Sequence, residues 1–220
     1  MRPRLPGADS GAPRHTATVE AGRPFRVAEA TSPALRTAAY RLRYDLLYGE
    51  RGDDRHVDHD AREYRDSADR AGGRTFVALD ADDGVIGTVR GLLRRDAPFP
   101  GDEVYPFDLL LGRFPSLLQS KGEIGLLDRG CVAPGWRRRG PFRRLALTTV
   151  QALFAGGARL VIGTMDAHHE APQAAVRGCG FEPAFSWWAR GTGPWSLYAI
   201  DREGADAAVR SLGRSPHERP

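Results

Sequence analysis

The chain has 220 residues, of which 41% are hydrophobic, and this length and composition suit one globular domain with a sizeable core. The net charge of +4 permits binding to nucleic acid, anionic lipid or an acidic carrier protein but selects none of them. Lys121 is the only lysine, so nearly all of the positive charge is arginine.

The two cysteines, Cys131 and Cys179, lack CxxC spacing and predict a reduced, cytoplasmic protein. No stretch approaches about 18 consecutive apolar residues, and the N-terminus has no apolar centre, so neither a transmembrane segment nor a secretory signal is expected. Residues 1–23 are predicted to be a flexible tail, 24–202 one domain, and 203–220 a C-terminal helix or flexible tail.

The first predicted elements are a strand over 25–30 and a helix that opens at Ser32-Pro33. The apolar face of this helix carries Leu35, Ala38, Ala39, Leu42 and Leu46. Residues 49–73 follow as a polar stretch rich in acids and arginines. One interpretation is a metal site at His56, Asp58, His59 and Asp60. A solvated loop is favoured instead, because nothing in the sequence places those ligands on defined elements.

Residues 75–79 and 85–93 are predicted strands, and the turn sequence Asp80-Ala81-Asp82-Asp83-Gly84 between them indicates a hairpin. The next segment, 94–121, is apolar and longer than a hairpin link. We expect it to bury itself, either as a helix packed on the sheet or as one wall of an apolar groove.

The most informative stretch runs from 122 to 154. It contains an apolar strand, a turn at Ala133-Pro134-Gly135, an arginine run closed by Gly140, and an amphipathic helix. Pro141 suits the first helical turn, where its missing N–H is not needed. Free backbone N–H groups, the positive end of the helix dipole and three guanidinium groups therefore meet at one place. This arrangement predicts a site for a diphosphate or a phosphopantetheine.

The remaining predicted elements are a strand over 160–164, a short helix over 171–177, and strands over 184–190 and 195–200. Aromatic residues crowd the last two strands, where cross-strand packing is their usual role. They are Phe185, Trp187, Trp188, Trp195 and Tyr198.

The 122–154 stretch resembles the acyl-donor motif of the GNAT superfamily of N-acyltransferases, which follows Gln/Arg-x-x-Gly-x-Gly/Ala. Here the motif stands as Arg137-Arg138-Arg139-Gly140-Pro141-Phe142, and Phe142 departs from the small residue of the pattern. The segment 128–134, DRGCVAP, is similar to the (S/G)R-x-CV-x-P block of one branch. That branch holds the N-acyl amino acid synthases, the ornithine acyltransferases and, more distantly, the acyl-homoserine-lactone synthases.

The resemblance implies a single GNAT-like domain of the α/β (α+β) class, with a mixed central sheet of about six to seven strands flanked by helices. It also implies an acyl donor, which is either acyl-CoA or the acyl-phosphopantetheine of an acyl carrier protein. In such a protein the apolar segment 94–121 would be a wall for the acyl chain.

The resemblance further implies roles for individual residues. The donor would be bound by Cys131, Val132, Arg137, Arg138, Arg139, Gly140, Pro141 and Phe142. Arg90, in the strand VIGTVRG, matches an arginine of the family and is a candidate for binding the substrate carboxylate or a site acid. Asp58 and Asp60 are candidate substrate-binding residues, because they lie where relatives have an acid-bearing loop near the acceptor. Val176 takes the place of the tyrosine that protonates the leaving thiolate in many acetyltransferases. His168 or His169 is a candidate substitute.

Acyl transfer to an amine needs a base, a polarised carbonyl, and two reactants held about 3–3.5 Å apart. Strand alternation places Glu123 and Arg129 on one face and Asp128 on the other, unless a bulge resets the register. Asp128 and Glu123 are the candidate bases, and Asp128 is ranked first. Arg129 matches the family's arginine and is a candidate for orienting the acceptor or binding its carboxylate, while a backbone N–H near Cys131 would polarise the carbonyl.

The predicted function is transfer of an acyl group to the amine of an amino acid or another small amine. The relatives that make homoserine lactones carry an acid three residues before the arginine, where this chain has Leu126, and this argues against an autoinducer synthase. The alternatives are an acetyl-CoA-dependent acetyltransferase of a small molecule or protein, and a non-catalytic acyl-CoA-binding regulatory protein. No metal is expected, because nothing in the sequence fixes the candidate ligands. No nucleic-acid partner is expected either, since no recognition helix or aromatic RNA motif accompanies the arginines.

Overall fold

The computed structural model describes residues 24–50, 52, 56–101, 105–189 and 193–212. Its strands are β1 (Arg26–Glu29), β2 (Val57–Asp58), β3 (Glu63–Tyr64), β4 (Arg74–Leu79), β5 (Val85–Leu93), β6 (Ile124–Val132), β7 (Leu160–Asp166), β8 (Glu182–Ala189) and β9 (Gly193–Asp201). Its α-helices are α1 (Pro33–Arg43), α2 (Ser67–Arg70), α3 (Phe107–Arg113), α4 (Pro141–Ala155), α5 (Glu170–Arg177) and α6 (Arg202–Arg210).

Seven of these strands form one sheet in the order β1-β4-β5-β6-β7-β9-β8. Neighbouring strands are antiparallel except β6 and β7, which are parallel. The strands β2 and β3 pair separately as a small hairpin. The predicted α/β class with a mixed seven-stranded sheet and flanking helices is therefore confirmed.

The first helix begins where its capping signal predicts. The Ser32 side chain accepts a hydrogen bond of 3.2 Å from the Leu35 N–H, and Pro33 occupies the first helical turn. The helix continues into a single π-helical segment, Tyr44–Tyr48, which turns the chain toward the β2–β3 hairpin.

The sheet has two faces, which we name after the helices that cover them. The α1 face carries α1, α2 and α3, and its buried side chains include Val77 of β4, Leu92 of β5 and Leu126 of β6. The α4 face carries α4, α5 and α6, and its buried side chains include Val89 and Leu127. Strand alternation therefore directs Thr88 and Arg90 of β5, as well as Asp128 of β6, toward the α1 face.

Helix α4 packs tightly on β5 and β6 through a stripe that includes Leu145, Val150 and Leu153, each fully buried. Burying each such side chain contributes about 1.5–3 kcal/mol. The close approach depends on Gly91 of β5, because a Cβ at this position would lie 2.7 Å from the methyl group of Thr149. This contact fixes α4, and hence its N-terminus, against the centre of the sheet.

Within the apolar segment 94–121, residues 107–113 form α3, which packs on the α1 face, as one of the two sequence interpretations predicts. Phe107 and Leu110 of α3 are buried, as are Phe99 before the helix and Leu118 after it. Within the described residues no helix is long and apolar enough to cross a membrane. The predicted tail 1–23 lies outside the described residues, and so does 213–220 at the other end of the chain.

Candidate active site

The strands β6 and β7 part in the middle of the sheet. Their ladder pairs Ile124–Leu126 with Leu160–Ile162, and beyond the last pair β6 runs on to Val132 and β7 to Asp166. Each strand keeps its other neighbour, since β6 pairs with β5 as far as Val132 and β7 pairs with β9 as far as Asp166. The result is an opening in the sheet that has backbone on both edges, and we call it the β6–β7 opening.

Helix α4 begins beside this opening with its N-terminus uncapped. Gly140, the N-cap residue, has a φ of +95°, which favours glycine, and no side chain caps the helix. Gly140 is exposed, and a Cβ added to it would meet no atom within 4 Å. Free N–H groups and about half a positive charge of the helix dipole therefore face solvent there. A phosphate group fits a position of this kind.

The three arginines before Gly140 have different environments. The Arg137 side chain is held in place, because its Nε donates to the Val132 carbonyl at 3.1 Å and its Nη2 lies 2.5 Å from Glu50. Arg138 is exposed, and Arg139 is half-buried. Arg138 and Arg139 therefore add positive charge next to the helix start, while Arg137 ties the arginine run to the end of β6.

Phe142, which departs from the GNAT pattern, points toward the sheet. Its ring edge would lie 2.8 Å from a Cβ on Gly130 of β6, so the ring occupies the space that Gly130 leaves. Its half-buried side chain packs against the main core cluster on the α4 face. The bulky residue is therefore accommodated without reaching over the exposed helix start at Gly140.

A β-bulge in β6 changes the predicted alternation of side chains. Arg129 has a φ of +54°, and the register with β5 shifts so that two residues, Arg129 and Gly130, oppose Val89. As a result Arg129 lies on the same side of the sheet as Asp128, on the α1 face. The sequence analysis placed Arg129 on the same face as Glu123 unless a bulge reset the register, and the bulge at Arg129–Gly130 does reset it.

Asp128 and Arg129 belong to a buried ion cluster on the α1 face. Its members are Arg43 at the end of α1, Asp66 and Asp69 at the start of α2, Arg90 of β5, and Asp128 and Arg129 of β6. Three positive and three negative charges are thus brought together. Balance of this kind is needed because burying an unpaired charge costs several kcal/mol.

Arg90 is the centre of the ion cluster and is fully buried. It forms a two-point contact with Asp128, at 2.8 Å from Nε and 2.7 Å from Nη2. Its Nη1 also lies 2.5 Å from Asp66 and 3.0 Å from Asp69. Burial alone would lower the pKa of Arg90, but the charge and hydrogen bonds of Asp128, Asp66 and Asp69 outweigh it and raise that pKa. Arg90 therefore stays charged.

Arg129 joins the ion cluster to the β2–β3 hairpin. It donates at 2.8 Å to Asp66 and at 2.8 Å to the Tyr64 hydroxyl, and its guanidinium lies over the Tyr64 ring. Burial would raise the pKa of Asp66, yet the hydrogen bonds and charges of Arg90 and Arg129 outweigh it and lower the pKa. Asp66 is therefore an anchor that stays ionised.

Only part of the ion cluster is accessible. The side chains of Asp128 and Arg129 are 19% and 15% exposed, whereas those of Asp66, Asp69, Arg43 and Arg90 are at most 3% exposed. Arg129 Nε has no hydrogen-bond partner among the described residues and lies 4.0 Å from Asp128. A ligand on the α1 face would therefore meet one carboxylate and one guanidinium side by side.

The structure does not bring the other predicted acids to this site. Glu123 lies in a 3₁₀ turn before β6, at the far end of the strand, where its carboxylate accepts from the backbone N–H groups of Gln119 and Ser120. These bonds lower its pKa. Asp58 accepts from the Ala61 N–H, and Asp60 is exposed. Within the polar stretch 49–73, the acids that contact Arg90 are instead Asp66 and Asp69.

The remaining predicted residues occupy several positions around the opening. Cys131 is buried on the α1 face beside Leu46 and Leu47, and Val132 is buried at the end of β6. Val176, at the position of the family's tyrosine, is buried in the core of the α4 face. The candidate substitutes His168 and His169 are exposed after β7.

The proposed metal ligands do not form a site. His59 contacts the rings of Tyr44 and Tyr48, whereas His56 contacts Tyr64. Among the described residues no three His, Cys, Asp or Glu side chains form a group that could hold a metal ion.

The sequence analysis missed Arg43, Asp66 and Asp69. One local signal was present, because Asp66 and Asp69 form a reciprocal capping box at the start of α2. That motif explains two acids three residues apart at a helix start. It does not reveal that both acids also face arginines that are 21 to 63 residues away in the chain.

Comparison with known proteins supports the fold. No protein-family model matches the sequence, and no curated protein matches it. A solved structure of a CoA-dependent acyl-homoserine lactone synthase, BjaI, with SAM and isopentyl-CoA has a TM-score of 0.64 at 20% identity, covering 87% of this chain and 90% of that chain. TofI, in a ternary complex with an inhibitor and MTA, has a TM-score of 0.58 at 22% identity, covering 84% and 96%.

A GNAT-family acetyltransferase from Staphylococcus aureus Mu50 is also similar, with a TM-score of 0.53 at 12% identity, covering 81% of this chain and 99% of that chain. The chain therefore has the GNAT fold, as its sequence motifs predict. Within that fold, the similar structures include acyl-homoserine lactone synthases as well as acetyltransferases.

Proposed function

We propose that the protein is an N-acyltransferase that moves an acyl group from a thioester to the amine of an α-amino acid. The observation that carries the proposal is the β6–β7 opening, which has a helix start without a side-chain cap on one face and the Asp128–Arg129 pair on the other. A donor held on the α4 face and an acceptor held on the α1 face would meet at this opening.

The donor is proposed to be acyl-CoA or the acyl-phosphopantetheine of an acyl carrier protein. The N–H groups after Gly140 and the charges of Arg138 and Arg139 would bind its phosphates. Three of the similar solved structures are described as CoA-dependent acyl-homoserine lactone synthases, and this favours CoA as the first donor to test. The net positive charge of +4 is compatible with an acidic carrier protein as well.

An α-amino acid is the proposed acceptor because its two charges match the accessible part of the ion cluster. Its ammonium group would contact Asp128, and its carboxylate would contact the Arg129 side chain, which is 15% exposed. Leu126, the residue three before Arg129, is fully buried and contributes no acid to the site. We therefore keep amino acid acylation ahead of lactone synthesis.

The chemistry assigns one task to each group. Asp128, directly or through a water molecule, takes a proton from the ammonium group, and the free amine attacks the thioester carbonyl. A backbone N–H on the open edge of β6 stabilises the negative charge that develops on the carbonyl oxygen. The C–N bond forms, the nitrogen releases its second proton to water, the C–S bond breaks, and the thiolate takes up a proton from water. Arg90, Asp66 and Asp69 hold Asp128 and Arg129 in position.

The test is to incubate the protein with acyl-CoA donors and a mixture of amino acids, and to detect amides by mass spectrometry and free thiol by a colorimetric reagent. We expect Asp128→Asn to lower kcat about 100-fold or more, because general-base catalysis contributes about 10²–10⁴-fold. Glu123→Gln is the matched control and should change kcat by less than about threefold. The proposal is wrong if no donor yields an amide, and the role of Asp128 is wrong if both variants behave alike.

A non-catalytic acyl-CoA-binding protein would give a different result. It would bind CoA thioesters in a calorimetric titration and release no thiol with any amino acid. An acetyltransferase of proteins would instead acetylate added polypeptides but not free amino acids.

A further inference from the structure

We propose that Tyr105 limits the acyl group to short chains by closing the space behind the β6–β7 opening on the α1 face. This inference rests on the proposed acyltransferase function and specifies its donor. It concerns a residue that no sequence motif singled out.

The opening leads directly to Tyr105. Leu160 and Ile162 of β7 are buried on the α1 face, so alternation places Thr164 on that face just past the last β6–β7 pair. The Tyr105 hydroxyl lies 3.4 Å from Thr164 Oγ1. On the other side of the opening, alternation places Asp128 of β6 on the same face. An acyl chain that passes between the strands would therefore reach the Tyr105 ring first.

Tyr105 is held in this place by three other rings. The ring centroids of Phe99, Phe107 and Trp187 lie 5.6, 5.7 and 6.3 Å from its own, and the contact with Phe107 is stacked. Phe99 and Phe107 are themselves buried against the sheet. Burial raises the pKa of the Tyr105 hydroxyl, so it stays neutral and can share its hydrogen bond with Thr164.

Two depressions of the described surface lie away from Tyr105. One, of about 440 Å³, is lined by residues such as Leu117 and Arg202, and another, of about 490 Å³, lies between α1 and Val85. No residue of the Tyr105 ring cluster lines either depression. A long acyl chain that entered this cluster would have to displace packed rings, because Tyr105 contacts three other rings and hydrogen-bonds to Thr164.

The two cases predict different responses to chain length. If an apolar groove were open, each added methylene would raise kcat/KM about fourfold, from the free energy of burying one CH₂ group. If packed rings close the space, a chain that is too long must overpack them, which lowers kcat/KM roughly fivefold to 150-fold. The wild-type protein should therefore prefer acetyl to hexanoyl donors and lose activity sharply by decanoyl.

The experiment measures kcat/KM for acetyl-, butyryl-, hexanoyl-, octanoyl- and decanoyl-CoA with the amino acid mixture described above. Tyr105→Ala should move the optimum toward octanoyl or decanoyl, with a relative gain of at least tenfold over the wild type. Tyr105→Phe keeps the ring and should keep the wild-type preference. Trp188→Ala is the surface control, because Trp188 is 73% exposed next to Trp187 and should leave the preference unchanged.

Each outcome bears on the inference separately from the proposed function. Absence of turnover with every thioester would refute the acyltransferase proposal. In that case the affinity of the wild-type protein for the same CoA series, measured by calorimetry, still tests the length limit. The inference is overturned if wild-type kcat/KM or affinity rises steadily to decanoyl, or if Tyr105→Ala leaves the preference unchanged. If Tyr105→Ala fails to fold, the wild-type series alone decides.

Discussion

Replacing Asp66 with asparagine removes one negative charge from the buried ion cluster and keeps the shape of the side chain. Asp66 accepts from Arg90 and Arg129 and also caps α2 by accepting from the N–H groups of Ala68 and Asp69. Asparagine caps helices about as well as aspartate. The substitution therefore isolates the charge from the cap.

Loss of one partner from a buried ion pair destabilises a protein by about 3–5 kcal/mol. Arg90 keeps Asp69 and Asp128 as partners, and Arg129 keeps the Tyr64 hydroxyl, so we expect the lower end, about 3 kcal/mol. For a chain of this size that corresponds to a decrease in Tm of roughly 6–12 °C. Urea unfolding followed by circular dichroism measures the free energy of unfolding.

The loss should also depend on pH. The pKa of Asp66 is lowered in the folded protein relative to about 3.9 in the unfolded chain, so its charge stabilises the fold above that value. The difference in free energy of unfolding between the wild type and Asp66→Asn should be the same at about pH 7 and pH 5.5, and it should shrink as the pH falls below about 3.9.

The matched control is Asp201→Asn. Asp201 caps α6 by accepting from the Gly204 N–H at 2.9 Å, and it has no ion pair among the described residues. We expect a change below about 0.5 kcal/mol for this variant. If the two asparagine variants lose the same stability, or if the loss at Asp66 is constant down to acid pH, the charge argument is refuted.

Three further predictions concern the helix start and a buried thiol. Gly140→Ala should weaken CoA binding in calorimetry by about tenfold, because its φ of +95° strains any residue with a Cβ, whereas Gly135→Ala, in a 3₁₀ turn with open space around it, should not change the affinity. Gly130→Ala should lower the free energy of unfolding by about 1–3 kcal/mol, because the added Cβ clashes with the Phe142 ring. Adding Phe142→Leu should recover part of this loss. A double-mutant cycle in which the two changes in free energy are not additive would confirm the contact, and strict additivity would contradict it. The Cys179 thiol, buried with its pKa raised to about 12, should resist alkylation near pH 8 in the folded protein, and rapid labelling seen by mass spectrometry would contradict its burial.

The parts of the site that are local in sequence could be predicted from it. The helix start at Gly140-Pro141, the Ser32 cap and the β4–β5 hairpin depend on residues a few positions apart, and the structure has all three. The adjacency of Asp128 and Arg129 is likewise a property of the chain itself. The face of the sheet that Arg129 occupies could not be predicted from the sequence, because the bulge at Arg129–Gly130 depends on how β6 pairs with β5.

The ion cluster shows why the rest required the tertiary structure. The acid-rich stretch 49–73 offered several carboxylates of similar local character, and the sequence analysis chose Asp58 and Asp60. The structure instead places Asp66 and Asp69 against Arg90, while Asp58 bonds to its own loop. Only burial distinguishes these acids, since an ion pair removed from water is far stronger than one that solvent screens.

By itself, then, the sequence determined the strands of the main sheet, α1 and the α4 start, which follow from the periodicity and spacing of near neighbours, and its motifs carried the GNAT resemblance. It did not predict β2, β3 and α2, because the local sequence of the polar stretch 49–73 favours a solvated loop. The tertiary structure decided which charges share the site and that Tyr105 stands behind the opening in the sheet. Both depend on distant segments that meet only when the chain is packed, where burial and charge balance select among residues that look equivalent in the unfolded chain.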